Sequence, residues 1–203
     1  MKKLILLSFL IASSFKVQSQ KIEYILDFAE PQTHYLTVKM KISGLSGKTI
    51  DVKMPTWAPG SYLIREFSKN VDFFKVTSNT PAEISWSKSD KNTWHINLAQ
   101  AQAITVEYKV YAYELSVRTS FVDADHAYLN GTSVFLYIDG KKNLPGTVQI
   151  NPNSTWKKIS CGLEKDGSDW KMKFADYDVL VDSPMEIGNQ DVFYFETSGC
   201  KYE

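Results

Sequence analysis

Pro55-Thr-Trp-Ala-Pro-Gly-Ser-Tyr-Leu-Ile-Arg-Glu-Phe-Ser-Lys-Asn-Val-Asp-Phe-Phe74 is the densest stretch of the chain. Pro55 and Pro59 fix φ and remove backbone donors, and Gly60 follows at once, so a strand arriving at Met54 must stop there and turn. Trp57, Tyr62, Phe67, Phe73 and Phe74 surround that turn. Such an aromatic load is expected to pack inward, and Trp57→Ala to cost roughly 3 to 5 kcal/mol. Leu63, Phe67 and Val71 recur at helical spacing, which allows a short helix after the turn. The stretch holds no Cys or His; Arg65 is expected to fix the following segment through an ion pair with a nearby carboxylate.

Outward from the turn the pattern is period two. Ile22, Tyr24, Leu26 and Phe28 alternate with polar neighbours, as do Leu36, Val38, Met40 and Ile42, and Ile50 to Met54 leads into the turn. These are half-buried antiparallel strands. Ile84 and Trp86, then Trp94, Ile96 and Leu98, then Ile104, Val106, Tyr108 and Val110 mark three more. Asn130-Gly131 between two β-prone runs is a hairpin signal, and Val148–Ile150 and Trp170–Phe174 complete a set of about ten strands. Turn signals at intervals of about ten residues argue for an all-β fold, an antiparallel β-sandwich; a closed barrel is the other arrangement the pattern allows.

The chain has 203 residues, enough for one large all-β domain. Lys plus Arg and Asp plus Glu are both 23, so no net field draws nucleic acid or an anionic membrane, and neither is implied as a partner. Arg65 and Arg118 are the only arginines, which suits either ordinary ion pairs or sites needing a planar bidentate donor. Residues 1–19 read as a cleaved signal peptide: Lys2-Lys3, an apolar run from Leu4 to Phe15, then Val17-Gln18-Ser19 before Gln20. That run is too short to span a bilayer. The expected location is therefore secreted or periplasmic, with residues 20–203 as the domain. In such a compartment Cys161 and Cys200 could form one bridge or stand as two unrelated thiols.

Catalytic constellations are hard to find. His34, His95 and His126 are isolated, with no H-E-x-x-H spacing. Asp123-Ala-Asp125-His126 gathers three potential ligands, though a polar loop explains it equally. Gly60-Ser61 is not a nucleophile elbow, and paired carboxylates for glycoside cleavage cannot be picked out from sequence. Asn130-Gly-Thr132 and Asn153-Ser-Thr155 fit glycosylation sequons. Five tryptophans and eleven tyrosines could include a stacking platform for sugars, against the plainer reading that they fill the core.

The segment Pro-Thr-Trp57-Ala-Pro59-Gly60-Ser-Tyr62, with Ile64-Arg65-Glu66-Phe67 after it, resembles the N-terminal domain of the glycyl aminopeptidase family of gluzincin zinc metallopeptidases, which usually carry a PDZ domain. Lys91-Asn-Thr-Trp-His95, Val106 to Arg118 and Asp176 to Gly188 look like further landmarks in the same order. The resemblance implies a saddle-like β-sandwich, similar to the N-terminal domains of membrane-alanyl-type aminopeptidases. It implies as well that the sandwich packs against a catalytic domain outside these residues, which would carry the zinc ligands and general base. No catalytic residue, metal ligand or cofactor maps onto this chain; the implied partners are the catalytic domain and, in the longer enzyme, a peptide substrate. It also implies that Asn130 and Gly131 lie at the rim of the substrate cleft, and that Asp182, Pro184, Glu186 and Gly188 mark the junction between domains. Trp57, Pro59, Gly60, Tyr62, Arg65 and Arg118 form the structural signature. A free-standing carbohydrate-binding or adhesive sandwich is the alternative reading.

Overall fold

Alternation along Lys21–Asp27 and Tyr35–Ser43 turns one face of each strand inward, and these two strands pair side by side within the main sheet. The computed structural model describes residues 20–58, 60, 61, 63–81 and 83–202. The leader read at 1–19, and Pro59 and Tyr62 of the signature, lie outside the described residues.

The main sheet has seven strands in the spatial order β13 (Glu164–Ser168), β14 (Lys171–Phe174), β11 (Gly146–Asn151), β1 (Lys21–Asp27), β2 (Tyr35–Ser43), β7 (Ala103–Tyr111), β4 (Val71–Ser78). All its pairings are antiparallel except β1 with β11, a departure from the purely antiparallel expectation. A second sheet runs β10 (Tyr137–Ile138), β3 (Thr49–Lys53), β6 (Thr93–Asn97), β5 (Ser85–Lys88), and a third runs β12 (Lys158–Cys161), β15 (Met185–Gly188), β9 (Ala127–Leu129), β8 (Phe121–Val122). A separate hairpin joins β16 (Phe195–Thr197) to β17 (Cys200–Tyr202). A short helix, α1 (Tyr177–Val181), is capped by the Asp176 carboxylate, which accepts from the Val179 N–H at 2.8 Å.

One buried cluster draws on the three larger sheets: Leu26, Val38, Met40 and Val106 from the first, Val52, Trp94 and Ile96 from the second, Leu129, Met185 and Ile187 from the third. The result is a β-sandwich. Outward positions of the main sheet are polar, with cross-strand pairs such as Lys41–Glu23 and Lys39–Glu107 at 3.7 and 3.6 Å; being half exposed, these add little stability. The edge of the main sheet is tied to the second sheet by a bulge. Phe73 takes φ +45° and points outward, the register slips, and Phe74 stacks on Trp94 with centroids 5.0 Å apart.

The least regular buried backbone is Val134-Phe135-Leu136, which belongs to no strand yet is 0–1% exposed. Buried peptide groups must be paired, and here side chains do it. Tyr108 donates to the Val134 carbonyl at 2.8 Å, Tyr177 to that of Phe135 at 2.7 Å and Tyr24 to that of Leu136 at 2.6 Å. The Tyr108 hydroxyl also accepts from the Leu136 N–H at 3.1 Å, while the N–H groups of Val134 and Phe135 donate to the Gly131 carbonyl. Three tyrosines from β7, α1 and β1 thus close the account of this segment.

Removing one of these hydroxyls leaves a buried carbonyl unpaired, at about 1 to 3 kcal/mol. Tyr108→Phe orphans the Leu136 N–H as well and is expected to be the costliest of the three. Denaturant midpoints should rank it below Tyr24→Phe and Tyr177→Phe, with the exposed Tyr111→Phe nearly neutral. Burial pushes all three phenols above their ordinary range. In the unfolded chain they ionise near pH 10, so the unfolded state releases protons first and stability falls as the pH rises above about 10. Tyrosinate absorbance should then grow in two stages, the second coinciding with loss of near-ultraviolet circular dichroism.

Candidate functional site

Asn130, expected at the cleft rim, is tied into the fold through both its side chain and its main chain. The expected Asn-Gly hairpin does not form. Asn130 instead caps a turn of 3₁₀ helix, Gly131–Ser133, and Gly131 has no positive φ of the kind a two-residue hairpin requires. Close packing sets its identity: a Cβ there would lie 2.7 Å from Val181 Cα and 3.3 Å from the Leu180 carbonyl oxygen. The Asn130 carboxamide oxygen accepts from the Thr132 N–H at 3.2 Å and the Thr132 hydroxyl at 2.5 Å; its amide nitrogen donates to the Val117 carbonyl at 2.9 Å. Its main chain binds the Ser120 and Ser133 hydroxyls, which are themselves 2.7 Å apart. Asn130 therefore fastens the loop between Tyr113 and Ser120.

That loop projects Leu115 and Val117, 70% and 76% exposed, with Arg118 beside them in solvent. At its base Tyr113, Glu114, Thr119 and Ser120 share a small cavity of about 140 Å³ with Lys69 and Asn70. Lys69 and Asn70 belong to a short 3₁₀ helix, Phe67–Asn70, which is what the helical spacing after the turn becomes. An outward aromatic row runs away from this point: His34 lies 3.7 Å from Tyr113, Tyr113 5.3 Å from Phe121 and Phe121 5.3 Å from His126.

The Pro-Gly turn departs from expectation in two respects. Phe67 is buried and Phe74 partly so, but Trp57 and Phe73 are each 48% exposed, Trp57 because the turn closes on itself: Ser61 N–H donates to the Ala58 carbonyl at 3.1 Å, with Gly60 at φ +77°. Trp57→Ala then removes about half the burial assumed, and its cost drops to roughly 1 to 2 kcal/mol. Arg65 makes no ion pair among the described residues. Its guanidinium donates to the Ser61 hydroxyl at 3.3 Å, its N–H to the Thr56 carbonyl, and Glu66 pairs with Lys91 at 2.6 Å instead. The hydrogen bond and charge of Lys91 hold the Glu66 carboxyl below its usual range.

The segment expected at the junction is itself well structured. Asp182 closes α1 and Pro184 follows it, but Met185–Gly188 is an inner strand flanked by β12 and β9. Gly188 is required by close approach, not by freedom: a Cβ would come within 2.9 Å of His126 Cβ. Glu186 faces outward beside His126, and burial pushes its carboxyl upward, partly offset by His126. Cys161 and Cys200 are free. They sit in different sheets, Cys161 opposite Met185 and Cys200 in the exposed hairpin, so the bridge is not made. Asn153, the other sequon asparagine, caps its own turn by accepting from the Thr155 N–H at 3.1 Å.

As a zinc site the His126 loop does not fit. A zinc draws all its donors to one point, at about 2.0 to 2.2 Å each, whereas Asp123 lies beside Nδ1 and Glu186 beside Nε2, so the two carboxylates flank opposite nitrogens of the ring and do not converge on one ion. Among the described residues no group of three His, Cys, Asp or Glu is placed to hold a metal, and no helix is long and apolar enough to cross a membrane.

The architecture is that of a β-sandwich domain with one end built from irregular, side-chain-pinned segments. Residues 23–189 match the Peptidase M61 N-terminal domain, and the chain belongs to that family. An aminopeptidase N family protein from Idiomarina loihiensis superposes with a TM-score of 0.83 at 29% identity, covering 89% of this chain and 31% of its own. An M1 zinc metallopeptidase from Deinococcus radiodurans aligns at 9% identity with a TM-score of 0.48, over 83% of this chain and 41% of its own. No curated protein matches. The chain spans about a third of the length of the Idiomarina relative, 31%.

Two residues passed over in the sequence matter here. Tyr177 and Ser120 carry no local motif, and their partners are 42 and 10 residues away. Asn130→Ala should release the loop: trypsin cleavage after Arg118 is expected to accelerate and stability to fall by about 0.5 to 2 kcal/mol. Unchanged cleavage would mean the loop is held by something else.

Proposed function

We propose that this chain is the N-terminal, non-catalytic domain of a secreted or periplasmic zinc aminopeptidase of the glycyl aminopeptidase type, and that it shapes the substrate cleft and docks the catalytic domain. The observation that carries this is the family match over 23–189, joined to a fold shared with a relative of which this chain covers only 31%. Zinc held in the catalytic domain would supply the polarised carbonyl and activated water of peptide hydrolysis.

What this chain's residues contribute is position. In this reading the Tyr113–Ser120 loop is the cleft rim, with Leu115, Val117 and Arg118 as its outer surface. Asn130 acts through the loop it holds, since both ends of its carboxamide are engaged within the chain. Gly131 lets the rim turn sit against α1.

Reading the gene past codon 203 tests the proposal. An H-E-x-x-H motif with a downstream glutamate is expected; a stop codon with no such motif would favour the free-standing binding module instead. N-terminal sequencing of the exported protein should start near Gln20, and a retained Met1 would contradict the signal-peptide reading.

A further inference from the structure

Gln190 is hydrogen-bonded into the sandwich. Its side chain donates to the Ser160 hydroxyl and the Glu186 carbonyl, both at 3.2 Å, and its own carbonyl accepts from Lys158 at 2.9 Å. The family match ends one residue earlier, at 189. Beyond it, Asp191–Tyr194 borders an open cleft of about 720 Å³, lined across from it by Lys158, Lys165 and Trp170.

The hairpin that follows is locally well specified. Ser198 and Gly199 take φ +52° and +75°, the two left-handed residues a tight hairpin turn requires. Phe195 and Tyr202 stack with centroids 5.0 Å apart and planes 8° from parallel, and Lys201 lies 4.7 Å over Tyr194. Yet β16 and β17 pair only with each other among the described residues. A lone two-stranded hairpin is marginal in water. This one also leaves Phe193, Tyr194, Phe195 and Tyr202 at 78, 60, 61 and 45% exposed, four aromatics within ten residues. An exposed apolar patch of this kind on an unpaired strand edge is the surface of an interface.

We infer that Phe193–Tyr202 is the seat of the domain that follows in the longer polypeptide: the hairpin is the first part of a sheet completed by that domain, and its aromatics are buried against it. The occupant is argued from two facts. The segment lies past the end of the matched N-terminal domain, and the relative sharing the sandwich has more than two thirds of its chain outside the matched part. A partner joined directly to Tyr202 has a high effective concentration at this edge. The inference rests on the reading of the chain as an N-terminal peptidase domain.

Hydrogen exchange read by mass spectrometry, on the 203-residue chain and on the longer product of the same reading frame, tests it. Amides of Phe195–Thr197 and Cys200–Tyr202 are expected to exchange rapidly in the short chain and at least about tenfold more slowly in the long one. Phe193→Ser with Phe195→Ser should leave the thermal midpoint of the short chain unchanged and loosen the same amides in the long one. Equal exchange in both proteins, with H-E-x-x-H present, would overturn the docking seat and leave the peptidase reading intact. Protection in the short chain that rises with protein concentration would make a second copy the occupant and overturn it too. A reading frame with no further domain would overturn both.

Discussion

Three hydroxyl groups hold the irregular end of this sandwich together. Val134-Phe135-Leu136 crosses the interior without belonging to a strand, a path that would leave three carbonyls stranded in an apolar setting. Tyr24, Tyr108 and Tyr177 each bring an apolar ring that fills the core and a hydroxyl that reaches one carbonyl. Phenylalanine could supply the packing and serine the hydrogen bond, but tyrosine supplies both over the distance from strand to loop. Because the three come from the first strand, a central strand and the short helix, the segment couples parts of the chain that are far apart in sequence.

This arrangement explains how a loop of exposed apolar residues can be precise. The Gly131–Ser133 turn is continuous with the tyrosine-bound segment, and Asn130, Ser120 and Ser133 pass that rigidity to the Tyr113–Ser120 loop. A surface that must meet another domain or line a cleft benefits from such support, since ordering it at the moment of contact would cost conformational entropy. The opposite design governs the C-terminal hairpin, whose aromatics are ordered locally and left uncovered.

Much of the fold was legible in the sequence. Period-two alternation marked the inward faces of β1, β2, β6 and β7 residue by residue, and the proline-rich turn was placed where the strand ends. What escaped was decided by contacts between distant residues. Asn130-Gly131 satisfies the rules for a hairpin and for a helix cap alike, and only the approach of Val181 and Leu180 selects the second. Met185–Gly188 is too short to show alternation and follows a proline, so its place as an inner strand was not visible. Phe73 was expected inward with its neighbours, but a bulge there turns it out and leaves Phe74 to take the packed position. The partners of the tyrosine hydroxyls are main-chain carbonyls, which carry no side-chain signature, and the family assignment came from whole segments rather than from any catalytic group.

The Leu136 amide is the sharpest probe of this picture, because it donates to the hydroxyl of Tyr108 while its own carbonyl is held by Tyr24. If the three tyrosines lock the segment into the core, that amide exchanges only through global unfolding, with the same free energy as the amides of β1 and β7. Exchange at Leu136 through a local opening, well below the global value, would show that the segment moves independently and that the tyrosines do not govern the end of the sandwich.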